Sequence, residues 1–280
     1  MAALSSEHSA RDGAERRAIL DRVRATGARG GQIEPHRSIA TIDLSATEIA
    51  GAVALAALFT AAYAASLAWI ARLWSAMFVW LAPLLGLGSG VGHRALYVAS
   101  VIEVAMPYFL APAAPPGPTA WWAALLVTLL IVAVSLLMRG DWLPLAYALR
   151  FAAAIQASAV LFFALAPTRF PYDLAVYTSG MLVLGATLIG IVPVLFGLTY
   201  YVIDVGWSRK ILLTVLAMGH LVVFVPLQYA LQAAVIVHGS LIVLPVCFVL
   251  FGLLPDIMIL IALYGWGMSW APLRARGRRQ

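Results

Sequence analysis

From residue 48 to residue 270 the chain is a series of apolar runs separated by short polar, Gly-rich or Pro-rich breaks, and eight runs can be distinguished. The first, 48–71, stops at Arg72; the second, 75–91, closes among Gly86, Gly88, Gly90 and Gly92; the third, 95–111, meets Pro112, Pro115, Pro116 and Pro118. The fourth, 120–138, is closed by Arg139 and Asp141, and the fifth, 143–166, by Pro167, Arg169 and Pro171. The sixth, 173–203, ends at Asp204 with Arg209 and Lys210 beyond; the seventh is 211–236 and the eighth 240–270. About 20 residues of helix cross the roughly 30 Å of bilayer hydrocarbon, and most runs reach that length, although the second and third are short. Continuous runs of this kind are helices rather than the alternating strands of a membrane barrel, because every backbone amide in hydrocarbon needs an internal partner. The pattern predicts an all-α, polytopic transmembrane bundle of about eight spans, or six if 75–111 form a re-entrant hairpin.

The polar residues gather at the two ends. Residues 1–46 hold seven arginines and six acidic residues, and 272–280 hold four more arginines. The organisation expected is therefore a polar tail over 1–46, a helical bundle over 47–271 and an Arg-rich tail over 272–280. Within the first tail, Arg11–Thr26 has a thin apolar side (Ala14, Ile19, Leu20, Val23) that fits a short helix lying on the bilayer surface, and a mostly disordered, solvated tail is the equal alternative. Ser45 to Glu48 reads as a capping box, placing the first helix start there. No apolar core of a cleavable leader precedes it, so the first span is expected to act as an uncleaved anchor.

Composition strengthens this picture: the chain is 63% hydrophobic and 11% charged, against roughly 25% charged in a soluble domain. Its net charge of +6 is explained by basic residues flanking spans and calls for no nucleic acid. With eight spans and the N-terminus inside, fifteen basic residues fall on the cytoplasmic side and two, Arg72 and Arg169, outside, with Arg150 inside a span. That asymmetry predicts a multi-pass protein of a bacterial-type inner membrane with both termini cytoplasmic.

Candidate chemistry lies where polar groups interrupt the spans, since each costs on the order of 3 kcal/mol to place at depth. Seven positions qualify: Glu103, Arg150, Gln156, His220, Gln228, Gln232 and Asp256. Glu103 and Arg150 carry opposite charges far from the ends of their runs and are candidates for an interior ion pair. His220, Gln228 and Gln232, with Thr214, fall within about 120° of one another on a helical wheel, a face that belongs toward the bundle interior. Pro226, between them, is expected to kink the helix and free a carbonyl. Ala186, Gly190, Pro193 and Gly197 form a flat stripe suited to close helix packing. The single Cys247 lies in an apolar run, and no histidine spacing, Walker loop or nucleophile elbow points to a metal, a cofactor or a catalytic residue.

These features favour a membrane subunit or accessory protein of a larger envelope assembly over an enzyme. The alternatives are a small transporter or channel-like protein with a polar mid-membrane cavity, and an enzyme acting on a lipidic substrate. The expected partners are membrane lipids and other membrane proteins. A cavity joining Glu103, Arg150 and His220 would favour transport; a wide apolar face without a cavity would favour a subunit.

Overall fold

The computed structural model describes residues 46–88, 90–200 and 206–270. The surface helix expected over Arg11–Thr26, the capping residue Ser45 and the Arg-rich tail lie outside the described residues. Where the sequence pattern breaks at Arg72, the chain does not: the first element, α1, is one helix over Ala46–Leu84, 39 residues long. At 1.5 Å per residue it extends about 58 Å. Neither Gly nor Pro occurs between Gly51 and Pro83, and arginine is itself a good helix former. Arg72 is exposed on the helix surface, so it adds a charge without stopping the helix.

The third run overturns the expectation of a further helix. Gly86 and Gly88, at φ 68° and 76°, turn the chain back, and residues 91–109 form an antiparallel hairpin, β1 (Val91–Val98) and β2 (Ile102–Phe109). The sequence here is rich in β-branched and aromatic residues, which suit strands. At the tip, Ala99 and Ser100 both take positive φ, 50° and 60°, a conformation that costs non-glycine residues energy. It is held by Val101 N–H donating to the Val98 carbonyl (3.1 Å) and Ala99 N–H donating to Thr187 Oγ1 (3.3 Å). Near the hairpin base, Phe109 stacks on Phe78 of α1 with ring centroids 4.1 Å apart, and His93 Nε2 lies 2.8 Å from Ser75 Oγ. Val98, Val104 and Met106 are buried beneath the hairpin. These side chains hold the hairpin against α1.

The remaining elements are helical: α2 (Pro118–Leu137), α3 (Leu143–Leu165), α4 (Leu174–Thr199), α5 (Trp207–Gly239), α6 (Leu244–Phe251) and α7 (Leu253–Ser269). By length and composition six helical stretches could cross a membrane, the last of them Leu241–Met268, which joins α6 and α7. Eight runs thus give six such helical stretches among the described residues, because the first two runs merge and the third is the hairpin.

Helices α1, α4 and α5 pack around one another with the hairpin against them. The small-residue stripe of α4 faces α1: Tyr63 OH donates to the Ala186 carbonyl (2.6 Å), and a Cβ at Gly197 would lie 2.8 Å from that of Ala56. Pro226 removes the N–H that would bond the Val222 carbonyl, and that carbonyl accepts from Trp74 Nε1 instead (2.7 Å). At the α4–α5 junction the buried Lys210 donates to the Tyr200 carbonyl (2.6 Å) with its ammonium 4.8 Å from the Trp207 ring centre.

Candidate functional site at an interrupted helix

The last apolar stretch is not one helix. Pro255 lacks the N–H that would bond the Phe251 carbonyl, and the helix parts at Gly252, between α6 and α7. A Cβ at Gly252 would run into the Phe248 carbonyl oxygen, so glycine is required for the chain to turn there. The carbonyls released by the break are met from α5. Gln228 Nε2 donates to Phe251 O (2.9 Å) and Gly252 O (2.6 Å), and Gln232 Nε2 donates to Phe251 O. The other end of the Gln232 amide accepts from Tyr177 OH of α4. Two glutamines one turn apart thus bind the end of α6 and the gap residue itself, and Tyr177 ties Gln232 to α4.

Asp256 stands in the first turn of α7, fully buried at 0% exposure. Among the described residues neither of its carboxylate oxygens has a hydrogen-bond partner. Gln228 Oε1 and Tyr229 OH also lie buried beside it, and the Tyr229 hydroxyl interacts with the Gln228 side chain and with Asp256. Buried polar groups are almost always paired, and the two unpaired oxygens of Asp256 single out this position among the described residues. The N-terminal end of α7 carries partial positive charge, which favours an acidic side chain there. The arrangement offers carboxylate, amide and phenol oxygens to a proton or a small cation.

The other candidates are dispersed. Glu103 is exposed on β2 and accepts from Tyr97 OH (3.2 Å), its partner across the hairpin. Arg150 joins α3 to α2 through Ser135, with 3.0 Å from Nη2 to the backbone oxygen and 3.4 Å from Nε to Oγ. The interior ion pair expected between Glu103 and Arg150 is therefore replaced by two separate attachments, because residue 103 lies on a strand and not in a span. Gln156 fixes α3 to the chain before α6 by donating to Ile242 O (3.3 Å). His220 stacks on Phe224 with centroids 5.2 Å apart, its Nε2 unpartnered among the described residues. Thr214 bonds Tyr200 at the far end of α5 (2.6 Å). The polar face of α5 thus reaches α4 and the α6–α7 break, while His220 stays against its own helix.

Sequence reasoning singled out Gln228, Gln232 and Asp256 but not their convergence, and it missed Tyr177, Tyr229 and Gly252. The spacing Gly252–Pro255 was a usable signal, since proline frees the carbonyl four residues back. Among the described residues no cluster of His, Cys, Asp or Glu could hold a metal ion.

Beside the break lies a cavity of about 520 Å³, bounded by β1, the first half of α4 and α6. Its walls are mostly aliphatic and aromatic, and Tyr177 belongs both to its lining and to the bonds at the helix break. No protein-family model, no curated protein and no solved structure matches the chain.

Proposed function

We propose that the protein is a small carrier of a bacterial-type inner membrane, with both termini cytoplasmic and the α6–α7 break as its ion-handling centre. The observation that carries this reading is Asp256, a carboxyl without a hydrogen-bond partner among the described residues, at 0% exposure, beside an interrupted helix. Intramembrane ionisable groups and broken helices near mid-bilayer are the recurring parts of transport sites, where half-helix ends meet ions and substrates. An even number of spans keeps both tails on one side. That side then holds fourteen basic residues, against Arg72, Arg94 and Arg169 on the other, in keeping with the positive-inside rule.

A carrier needs water to reach its centre from each side in turn. The test exploits the single cysteine of the chain, Cys247. In a Cys247→Ser background, Leu253→Cys and Asp256→Cys proteins are treated in oriented vesicles with a membrane-impermeant maleimide. Labelling at either position from both faces is the expected result. Protection from both faces, in protein that remains monodisperse, would overturn the reading.

A second reading, a membrane subunit of a larger assembly, draws on α2, whose buried residues are Thr128 and Ser135 while Leu126, Leu129 and Leu137 are exposed. Co-purification of a stoichiometric membrane partner from mild detergent, abolished by polar substitutions on that face, would favour it.

A further inference from the structure

The cavity beside the helix break has a direction. On α4 its lining runs from Val176 to Leu184, about 12 Å along the helix axis. Phe170 and Tyr172 stand at the end nearer the α3–α4 junction. Its inner end is marked by Leu96 and Tyr97, close to the hairpin tip that is bonded to Thr187, midway along α4. If α4 crosses the bilayer, the cavity descends from the headgroup region toward the midplane, the path of a lipid chain within one leaflet. A volume of about 520 Å³ lies within the roughly 300–1,000 Å³ of pockets that enclose small ligands.

Its outer wall is fixed. The Phe170 ring is held between Phe163 of α3, centroids 5.0 Å apart, and Tyr172, 5.9 Å apart. Immediately before Phe170, Arg169 is exposed at the end of a short 3-10 turn. An apolar shaft whose end residue Phe170 directly follows an exposed arginine is complementary to a chain bearing a negative head. Guanidinium is well suited to phosphate because it presents paired donors in a plane. The lining contains no charged side chain, which disfavours a charged solute inside the cavity.

We propose that this cavity is a specific binding site for an anionic membrane lipid, with one chain between β1, α4 and α6 and the phosphate head at Arg169. The site stands apart from the carrier reading and does not depend on Asp256. Through Tyr177, which lines the cavity and bonds Gln232, an occupied site would also brace the helix break.

Gly180 supplies the test, because it lines the cavity and a Cβ added there meets nothing within 4 Å. Gly180→Leu therefore starts from open space and extends into the shaft. The full chain, purified and delipidated, is offered phosphatidylglycerol and phosphatidylcholine of matched chains, and bound lipid is counted by native mass spectrometry. Wild type is expected to retain one phosphatidylglycerol in preference to phosphatidylcholine. Gly180→Leu should lose that retained lipid. Arg169→Gln should keep a lipid but lose about five-fold in headgroup preference, whereas Arg139→Gln, at the other end of α3, should not. On unsubstituted protein, a diazirine-bearing phosphatidylglycerol should crosslink within 170–184 and 244–249. Equal retention of the two lipids by wild type, unchanged retention in Gly180→Leu, or crosslinks confined to other helices would overturn the proposal. The crosslink map keeps the test decisive if Gly180→Leu fails to fold.

Discussion

The bond between Tyr177 and Gln232 allows the energetics of the helix break to be measured rather than assumed. Both side chains are buried: the phenol of Tyr177 donates to Gln232 Oε1, and Gln232 Nε2 donates to the Phe251 carbonyl. Gln232→Leu keeps the volume close to that of the amide and removes both bonds. The two losses are unequal. Phe251 O still accepts from Gln228 Nε2 at 2.9 Å, so it stays satisfied, whereas Tyr177 is left with a buried, unpaired hydroxyl. Stranding such a donor costs about 1–3 kcal/mol, while interhelical hydrogen bonds in membrane proteins average only about 0.6 kcal/mol in measured cycles. A loss of about 2 kcal/mol, roughly 30-fold in the folding equilibrium, is therefore expected for Gln232→Leu.

Tyr177→Phe removes the donor itself and should cost about 1 kcal/mol. In the double variant no hydroxyl is stranded, so its cost should fall short of the sum by about 1–2 kcal/mol. Reversible unfolding in mixed micelles of mild detergent and dodecyl sulfate, followed by far-ultraviolet circular dichroism, gives all four free energies. Additivity within about 0.3 kcal/mol would refute the account. It would mean that Tyr177 finds another acceptor and that α4 is not fastened to the break through Gln232.

Three further outcomes follow from named contacts. Gly252→Ala places a methyl group against the Phe248 carbonyl and should cost about 1–3 kcal/mol, read in the same micelle titration. Trp74→Phe strands the Val222 carbonyl that Pro226 leaves without its helical partner, a loss of about 1 kcal/mol. Adding Pro226→Ala should recover part of that loss by restoring the missing N–H, and no recovery would show that the indole bond is incidental. Glu103→Gln, altering an exposed group bonded to Tyr97, should leave stability within about 0.5 kcal/mol. Arg150→Met, which loses two donors to Ser135, should cost about 1–2 kcal/mol, and equal costs for these two variants would point to a pairing between them.

Which parts of this architecture were legible depended on whether the signal was local. The fourth and fifth runs, read as 120–138 and 143–166, coincide with α2 and α3 to within two residues, because Pro118, Arg139, Asp141 and Pro167 are strong local boundaries. Arg72 misled for a physical reason. A charge is a boundary for burial in lipid but not for the backbone, and a helix continues through it wherever no glycine or proline intervenes. The hairpin was hidden differently. Residues 95–111 are apolar enough for a span, and the alternation of exposed Glu103 and Ala105 with buried Val104 and Met106 covers too few positions to outweigh hydropathy. Once residue 103 lies on a strand, the Glu103–Arg150 pair dissolves without any change in either side chain.

The site divides along the same line. That Asp256 interrupts the last span, and that Gln228 and Gln232 share a face, are properties of single segments and can be read from them. That the two amides reach the carbonyls freed by Gly252 and Pro255 is a relation between α5 and the α6–α7 gap, which only packing decides. The two facts have one cause. A helix broken inside a bilayer exposes backbone carbonyls that water cannot reach, so a neighbouring helix must carry side-chain donors at that depth. Gln228 and Gln232 donate to the Phe251 and Gly252 oxygens and so meet that demand. These two carbonyls are thus satisfied from α5 without a bond from Asp256. A carboxyl that is buried completely, yet makes no hydrogen bond among the described residues, is the observation on which the carrier proposal rests.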